Sequence, residues 1–318
     1  MAENYGLPYA GSKSRIAHWL IDNLPRRRVL IDAFAGGCSI THRALLSQKW
    51  QTIIANDING KYPQLFADAV RGKYRDEKRW ISREDFERLK SQDAFVACCW
   101  SFGNNLCDYM YSKAIEPYKR ALHYAIVLDD FAPMQELMPE VAQAVADAIH
   151  WQNSLHDRRI TAQKVIVKTL KRLTGDNYAH QIIQGNPLYQ SIRHSNKDAQ
   201  RMQSLQSLER LERLQSLERL RVTSLSYDEI DIPDDAVVYC DPPYHDRDKK
   251  LYECTASSFD NCAFYDWCVR VSKTNPIFIS EYSIEDDRFE IVAEKQKITS
   301  MAAVKSFNVT ERLYTVKK

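Results

Sequence analysis

Residues 29–57 read VLIDAFAGGCSITHRALLSQKWQTIIAND, and this stretch decides the fold. Val29 to Phe34 is a short apolar run ending in Gly36-Gly37, the pattern of a buried strand followed by a tight turn. A helix then carries Ile40, Ala44 and Leu45 on one side. Thr52 to Asp57 is the next buried run, and Asn59 opens another helical stretch. Strand, helix, strand, helix with short connections predicts a parallel sheet wrapped by helices, an α/β fold. Upstream, Ser12 or Ser14 is placed to cap a helix bearing Ile16, Leu20 and Leu24, which Pro25 stops.

From about Lys61 to Gln200 the strand signal fades. EVAQAVADAIHW (140–151) and ITAQKVIVKTLKRL (160–173) read as helices within a largely helical insert. Residues 203–220 contain the repeat LQSLERLERLQSLERL, with leucine at 205, 208, 211, 214, 217 and 220. A strict spacing of three advances about 300° per step, so the leucines spiral round a helix instead of forming a stripe. The repeat reads either as a surface for self- or partner association or as an expanded connector. The sheet then resumes with LRVTSL (220–225), AVVYC (236–240) and IFIS (277–280), with a helix between the last two capped by Ser257 or Ser258. Residues 292–316 hold two weaker strand signals that suit a closing antiparallel pair.

The motif with the most specific chemistry is Asp241-Pro242-Pro243-Tyr244, directly after the strand AVVYC. The carboxyl end of a parallel strand opens into the crevice where such sheets bind ligands, and the two prolines stiffen the turn. An aromatic amino group is a poor nucleophile because its lone pair is delocalised into the ring. Two acceptors that bond both amino hydrogens free that pair, and the Asp241 carboxylate with the Pro242 carbonyl supplies them. A base inside a duplex cannot reach such a turn and must be flipped out, and Tyr244 offers it a stacking face. Asp32-Ala-Phe-Ala-Gly-Gly-Cys38 is a strand-to-helix turn whose small residues allow close backbone approach to a ligand. Asp57 follows about twenty residues later, the spacing at which a carboxylate meets ribose hydroxyls. In Tyr9-Ala-Gly11-Ser-Lys13, a lysine beside free amides suits the carboxylate of an amino-acid moiety.

YxGxK, DxFxGG, ND and DPPY in this order resemble the Dam-type DNA adenine methylases, many of them phage-borne. WISREDF (80–86) and WSFGNN (100–105) also resemble phage and prophage members, so the likeness covers nearly all the chain apart from the leucine repeat. It implies a Rossmann-like seven-stranded methyltransferase sheet, with a mostly helical target-recognition insert. The catalytic domain is then expected at 1–70 and 220–318, the insert at 71–200 and the repeat connector at 201–219. The implied reaction moves a methyl group from S-adenosylmethionine to the exocyclic amino group of a flipped-out adenine. Carried-over cofactor contacts are Tyr9, Gly11, Lys13, Asp32, Phe34, Ala35, Gly36, Gly37, Asp57, Tyr227 and Asp241. Ser280, Tyr282 and ERLYTV correspond to weaker motifs near the catalytic pocket. Cys38 stands where the family's last glycine is expected, and a cysteine is expected to avoid positive φ there. Ser226 replaces an acidic residue that contacts the cofactor adenine in many members.

The partner is expected to be double-stranded DNA, with a base flipped. Asn104 and Asn105, beside Trp100 and Phe102, combine amides for base edges with aromatics for stacking. Arg247, Lys249 and Lys250, beside DPPY, suit phosphates. Rival readings keep the chemistry but move it to cytosine or RNA, or keep only the fold as an inactive DNA-binding adaptor.

The 318 residues allow one large domain with a substantial insert, and 44% hydrophobic with 27% charged residues is an ordinary globular balance. A net charge of +2 is far from a polybasic coat, so any DNA-binding face is local. No apolar run approaches the ~18 residues of a membrane span, and MAENYGLPYAGSKSR has no signal-peptide core. Eight cysteines without a CxxC pair predict no zinc site and read as reduced, mostly buried thiols. A cytoplasmic setting, in a bacterial or phage-infected cell and with a link to restriction–modification, is the expectation.

Overall fold

The computed structural model describes residues 5–150, 154–174, 201–202, 205–206, 208, 216–243, 259–300 and 306–318. The chain divides into two compact units, Met1–Gly72 with Leu208–Lys318, and Lys73–Ser207.

The first unit is built on a seven-stranded mixed sheet. In chain order its strands are β1 (Val29–Asp32), β2 (Thr52–Asn56), β3 (Leu220–Thr223), β4 (Ala236–Cys240), β5 (Ile277–Glu281), β6 (Phe289–Ser300) and β7 (Ser306–Val316). They lie side by side as β3-β2-β1-β4-β5-β7-β6. Strands β3, β2, β1, β4 and β5 are parallel, while β7 runs antiparallel to both β5 and β6. Every residue of β1 and β4 is buried, as continuous apolar runs at a sheet centre require. Helices α1 (Ala17–Asn23), α2 (Ser39–Ser47) and α3 (Lys61–Val70) belong to this unit, as does the later helix Asn261–Val271. On one face Ile31, Val238, Cys240 and Ile279 pack with Phe264 and Trp267 of that later helix. The Rossmann-like sheet expected from the motifs is present.

The second unit is helical in its described part. Its helices are α4 (Arg83–Leu89), α5 (Ala94–Trp100), α6 (Glu116–His123), α7 (Ala132–Leu137), α8 (Pro139–Ala148) and α9 (Leu155–Thr174). Leu122, Ile126, Met134, Val141, Val145 and Ile166 form its core. Ser82 caps α4 by accepting from the Asp85 N–H at 3.1 Å, and Asp93 caps α5 through the Phe95 N–H at 2.9 Å. No helix among the described residues is long and apolar enough to cross a membrane.

Local details differ from the sequence reading. Neither Ser12 nor Ser14 caps α1, because a 3₁₀ turn over Ser14–Ile16 precedes it and the Ser14 hydroxyl accepts the Tyr5 N–H at 2.6 Å. Asp260, not a serine, caps the helix Asn261–Val271, accepting from the Ala263 N–H at 3.0 Å. Ser257 and Ser258 lie outside the described residues. Cys38, Cys98, Cys99, Cys240 and Cys268 are buried free thiols and Cys262 an exposed one. Cys107 is disulfide-bonded, which corrects the all-thiol reading, since sequence spacing does not tell which sulfurs a fold brings within bonding reach. In the leucine repeat Leu205, Leu208 and Leu220 are buried, and residues 209–215 lie outside the described residues.

Ile31, fully buried at the middle of the sheet, is the natural probe of this core. Ile31→Ala is expected to lower the unfolding free energy by about 2–5 kcal/mol in urea denaturation followed by circular dichroism.

Candidate functional site

The order of strands reverses between β1 and β4, and the carboxyl ends of β2, β1, β4 and β5 open on the same side of the sheet. At these ends stand Asp57, Asp32, Asp241 and Glu281. In register, Asp32 pairs with Tyr239, so Asp241 lies two residues beyond it on the neighbouring strand.

The turn after β1 is built by close backbone approach. The Gly36 N–H donates to Asp57 Oδ2 at 2.8 Å, and the Asn59 N–H donates to Asp57 Oδ1 at 2.8 Å. The Leu7 N–H donates to the Gly37 carbonyl at 2.7 Å. A Cβ on Gly37 would lie 2.4 Å from Tyr9 Cβ, and one on Gly36 would lie 3.1 Å from the Tyr9 ring, so both glycines are needed beneath that tyrosine. Tyr9 in turn meets Tyr62 edge-on at 5.2 Å. Gly11 holds φ +80°, a conformation that favours glycine.

Cys38 overturns one expectation. It adopts φ +59° and ψ +32°, the left-handed conformation that favours glycine. The cost of about 1–2 kcal/mol for an L side chain there is offset locally. Its N–H donates to the Ala35 carbonyl at 2.6 Å, its carbonyl accepts the His42 N–H at 2.9 Å, and its side chain is fully buried.

Asp32 is buried, and its Oδ2 accepts both the Thr41 N–H at 3.1 Å and the Thr41 hydroxyl at 2.7 Å, tying β1 to the first turn of α2. Burial pushes its carboxyl up to about 7 against the Thr41 hydrogen bond, with help from the Asp241 charge. Burial also raises Asp57, opposed by the Asn59 and Gly36 N–H groups. Phe34 and Tyr227 lie 5.8 Å apart in an aromatic cluster with Phe259, Phe264 and Trp267. The Ala35 N–H donates to the Asn56 carbonyl at 2.8 Å. Ser226 caps the 3₁₀ turn Tyr227–Glu229, and its hydroxyl bonds Asp228.

Asp241 meets Lys13, whose Nζ donates to Asp241 Oδ1 at 2.7 Å and lies 3.6 Å from Glu311 Oε1. Burial opposes the charge on Lys13, but the Asp241 and Glu311 carboxylates outweigh it and its pKa is raised. The carboxylate that Lys13 meets in this structure is thus the chain's own. Pro242 is buried and Pro243 half-buried, whereas Tyr244, Arg247, Lys249 and Lys250 lie outside the described residues.

In the second unit, Asn105 is occupied in holding its own loop. Its Oδ1 accepts the Cys107 and Asp108 N–H groups at 3.0 Å each, and its Nδ2 donates to Asp108 Oδ2 at 2.7 Å. Gly103, Asn104 and Leu106 all hold positive φ, and Phe102 at the tip is 60% exposed. The Asn104 Oδ1 is buried and has no partner among the described residues.

Four residues add to these candidates: Ile58 and Glu281, which the motif reading missed, and Asn56 of ND and Glu311 of ERLYTV, which lie inside quoted motifs but were not singled out. Asn56, buried, donates to the Ala33 and Leu225 carbonyls and accepts from the Thr223 hydroxyl, so it staples β1, β2 and β3 beside Asp57. Ile58, next to Asp57, is 76% exposed, far more than an isoleucine in a core segment. Glu281 and Glu311 are buried, and alternation gives their signal: each is in phase with inward apolar residues, Ile277 and Ile279 for one and Leu313 for the other.

Burial pushes the Glu281 carboxyl from 4.5 up to about 8, against a hydrogen bond from the Tyr282 N–H and with the Asp241 charge adding to the rise. The folded chain therefore holds a proton here that the unfolded chain has already released. This group's stabilisation is complete at low pH and is lost as pH climbs through 8. Relative to wild type, Glu281→Gln should gain stability between pH ~5 and ~8, by at most about 1.4 kcal/mol per pH unit. Thermal melts across that range check it, and parallel curves for the two proteins would contradict it.

Against known proteins, residues 9–127 match the family model described as D12 class N6 adenine-specific DNA methyltransferase. The match starts at Tyr9, runs through both the Gly36-Gly37 turn and Asp57, and ends within the second unit; the Asp241 turn lies beyond it. No curated protein matches the chain. Over residues 9–127, therefore, the chain is similar to the D12 class N6 adenine-specific DNA methyltransferases.

Proposed function

We propose that the crevice of the first unit transfers a methyl group from S-adenosylmethionine to the exocyclic amino group of an adenine turned out of double-stranded DNA. The observation that carries this reading is the pairing of buried Lys13 with the part-buried Asp241 at the end of β4, which fixes a carboxylate at the strand-order reversal.

The residues on the crevice fit S-adenosylmethionine. Each Asp57 oxygen accepts one backbone N–H, and a carboxylate oxygen has a second lone pair left for a ribose hydroxyl. Ile58 and Leu225, exposed at the ends of β2 and β3, offer apolar surface to an adenine ring. Tyr9 packed on Gly36 and Gly37 keeps the turn thin, so backbone amides approach a ligand closely. When bound, the cofactor supplies an electrophilic methyl on a sulfonium. Asp32 anchors the turn through Thr41, and Phe34 with Tyr227 builds its apolar wall.

The chain's own groups prepare the nucleophile. The Asp241 carboxylate and the Pro242 carbonyl accept the two amino hydrogens of the target base, which localises the nitrogen lone pair toward the donor. A base must leave the stack to reach them, and Tyr244 is the stacking partner in this reading. The unit Lys73–Ser207 is taken as the target-recognition part. Within it Phe102 is better disposed to meet bases than Asn105, whose amide is spent on its own loop. Arg247, Lys249 and Lys250 are assigned to phosphates.

Asp241→Ala should lower kcat by at least about 100-fold, because it removes an acceptor aimed at the reacting amino group. Cofactor affinity by calorimetry should stay close to wild type. Transfer of labelled methyl to duplexes with and without adenine gives the rate and the base. Undiminished transfer by the variant would defeat the role of Asp241. Transfer to adenine-free duplex or to RNA favours the altered-substrate reading, and DNA binding without transfer the adaptor.

A further inference from the structure

Lys13 faces two protein carboxylates, and only one of them belongs to the Asp-Pro-Pro-Tyr turn. Glu311 sits on β7, fully buried, where a lone carboxylate would cost several kcal/mol. Two contacts offset that cost: the Ser280 hydroxyl donates to Glu311 Oε1 at 2.6 Å, and Lys13 Nζ lies 3.6 Å from the same oxygen. Ser280 is on β5, the strand that separates β4 from β7 in the sheet. A chain of polar contacts therefore runs Ser280–Glu311–Lys13–Asp241. Its first three members are at most 5% exposed, and only Asp241, at 20%, reaches toward solvent.

We infer that Glu311 is a positioning residue for methyl transfer: through Lys13 it sets the orientation and the residual negative charge of Asp241. This rests on the function proposed above. The physical argument has two parts. A lysine ammonium on a four-carbon stem is flexible and holds a partner in place only when it is itself held; Glu311 and Ser280 supply that restraint from the sheet. Secondly, one ammonium between two carboxylates leaves the trio with a net negative charge. Asp241 then keeps its strength as an acceptor for amino hydrogens, whereas a lysine paired with Asp241 alone would neutralise it. Glu281, at the end of β5, adds a third carboxyl whose charge is suppressed by burial, so it does not compete fully for the same ammonium.

The test separates positioning from fold support. Glu311→Gln keeps the volume and a hydrogen-bond partner for Ser280 but removes the charge. With saturating adenine-containing duplex and S-adenosylmethionine, kcat should fall about 10- to 100-fold, while KM for the cofactor changes by less than about 3-fold. Ser280→Ala, which removes the hydroxyl that supports Glu311, should shift kcat in the same direction by a smaller factor and also spare the cofactor KM. A kcat equal to wild type in Glu311→Gln overturns the inference. So does a loss of kcat matched by an equal loss of cofactor affinity, since Glu311 would then serve the cofactor seat. If Glu311→Gln does not fold, Ser280→Ala decides: a lowered kcat at unchanged KM supports the role and an unchanged kcat overturns it. Wild-type protein that methylates no adenine duplex defeats the proposed function itself, and is told apart from failure of Glu311 alone, in which wild type remains active.

Discussion

An ammonium group buried between two carboxylates is the constraint around which the carboxyl end of the parallel strands is organised. Lys13 comes from a segment before the first strand, Asp241 from the end of β4 and Glu311 from the closing β7. Charges removed from water are tolerated only when their partners are accurately placed. The three segments are therefore committed to one arrangement, and a shift of any of them leaves a charge unpaired. In the proposed function, where the site accepts hydrogens from a weakly nucleophilic amine, that rigidity helps because the acceptor needs no rearrangement in the transition state.

Topology explains how so many acidic groups meet. In a parallel sheet all strand ends on one side share a crevice, and here they bring Asp57, Asp32, Asp241 and Glu281 together. Burial raises these carboxyls and the neighbouring Asp241 charge adds to the rise, so Asp32 reaches about 7 and Glu281 about 8. The chain offsets the repulsion with specific donors: Thr41 for Asp32, two backbone N–H groups for Asp57 and Lys13 for Asp241. Strain is stored in the same place. Cys38 occupies a left-handed conformation at the start of α2, held by its hydrogen bonds to Ala35 and His42.

The second unit uses polar groups differently. After Phe102 the backbone takes positive φ at Gly103, Asn104 and Leu106, and Asn105 with Asp108 pins the loop. The Asn105 amide, which the sequence suggests for reading bases, is consumed in shaping the loop, and the Phe102 ring is left presented instead. The competition is between local side chain–backbone bonds and outward recognition, and for Asn105 the local bonds win.

The alternating strand and helix pattern of residues 29–57, and the turn after AVVYC, were legible from the chain alone because strand burial and turn chemistry are local. Continuous apolar runs can sit only at the centre of a covered sheet. The motif order led to a family resemblance for the same reason: each motif is a short local stretch of sequence. What the sequence could not decide is which distant groups meet. That Lys13 pairs with Asp241, that Glu311 stands behind them, that Asp260 and not a serine caps its helix, and that Cys38 accepts a glycine's conformation all depend on contacts across many residues. Those contacts exist only once the sheet has brought its strand ends together, and the energy of each depends on how completely the fold removes it from water.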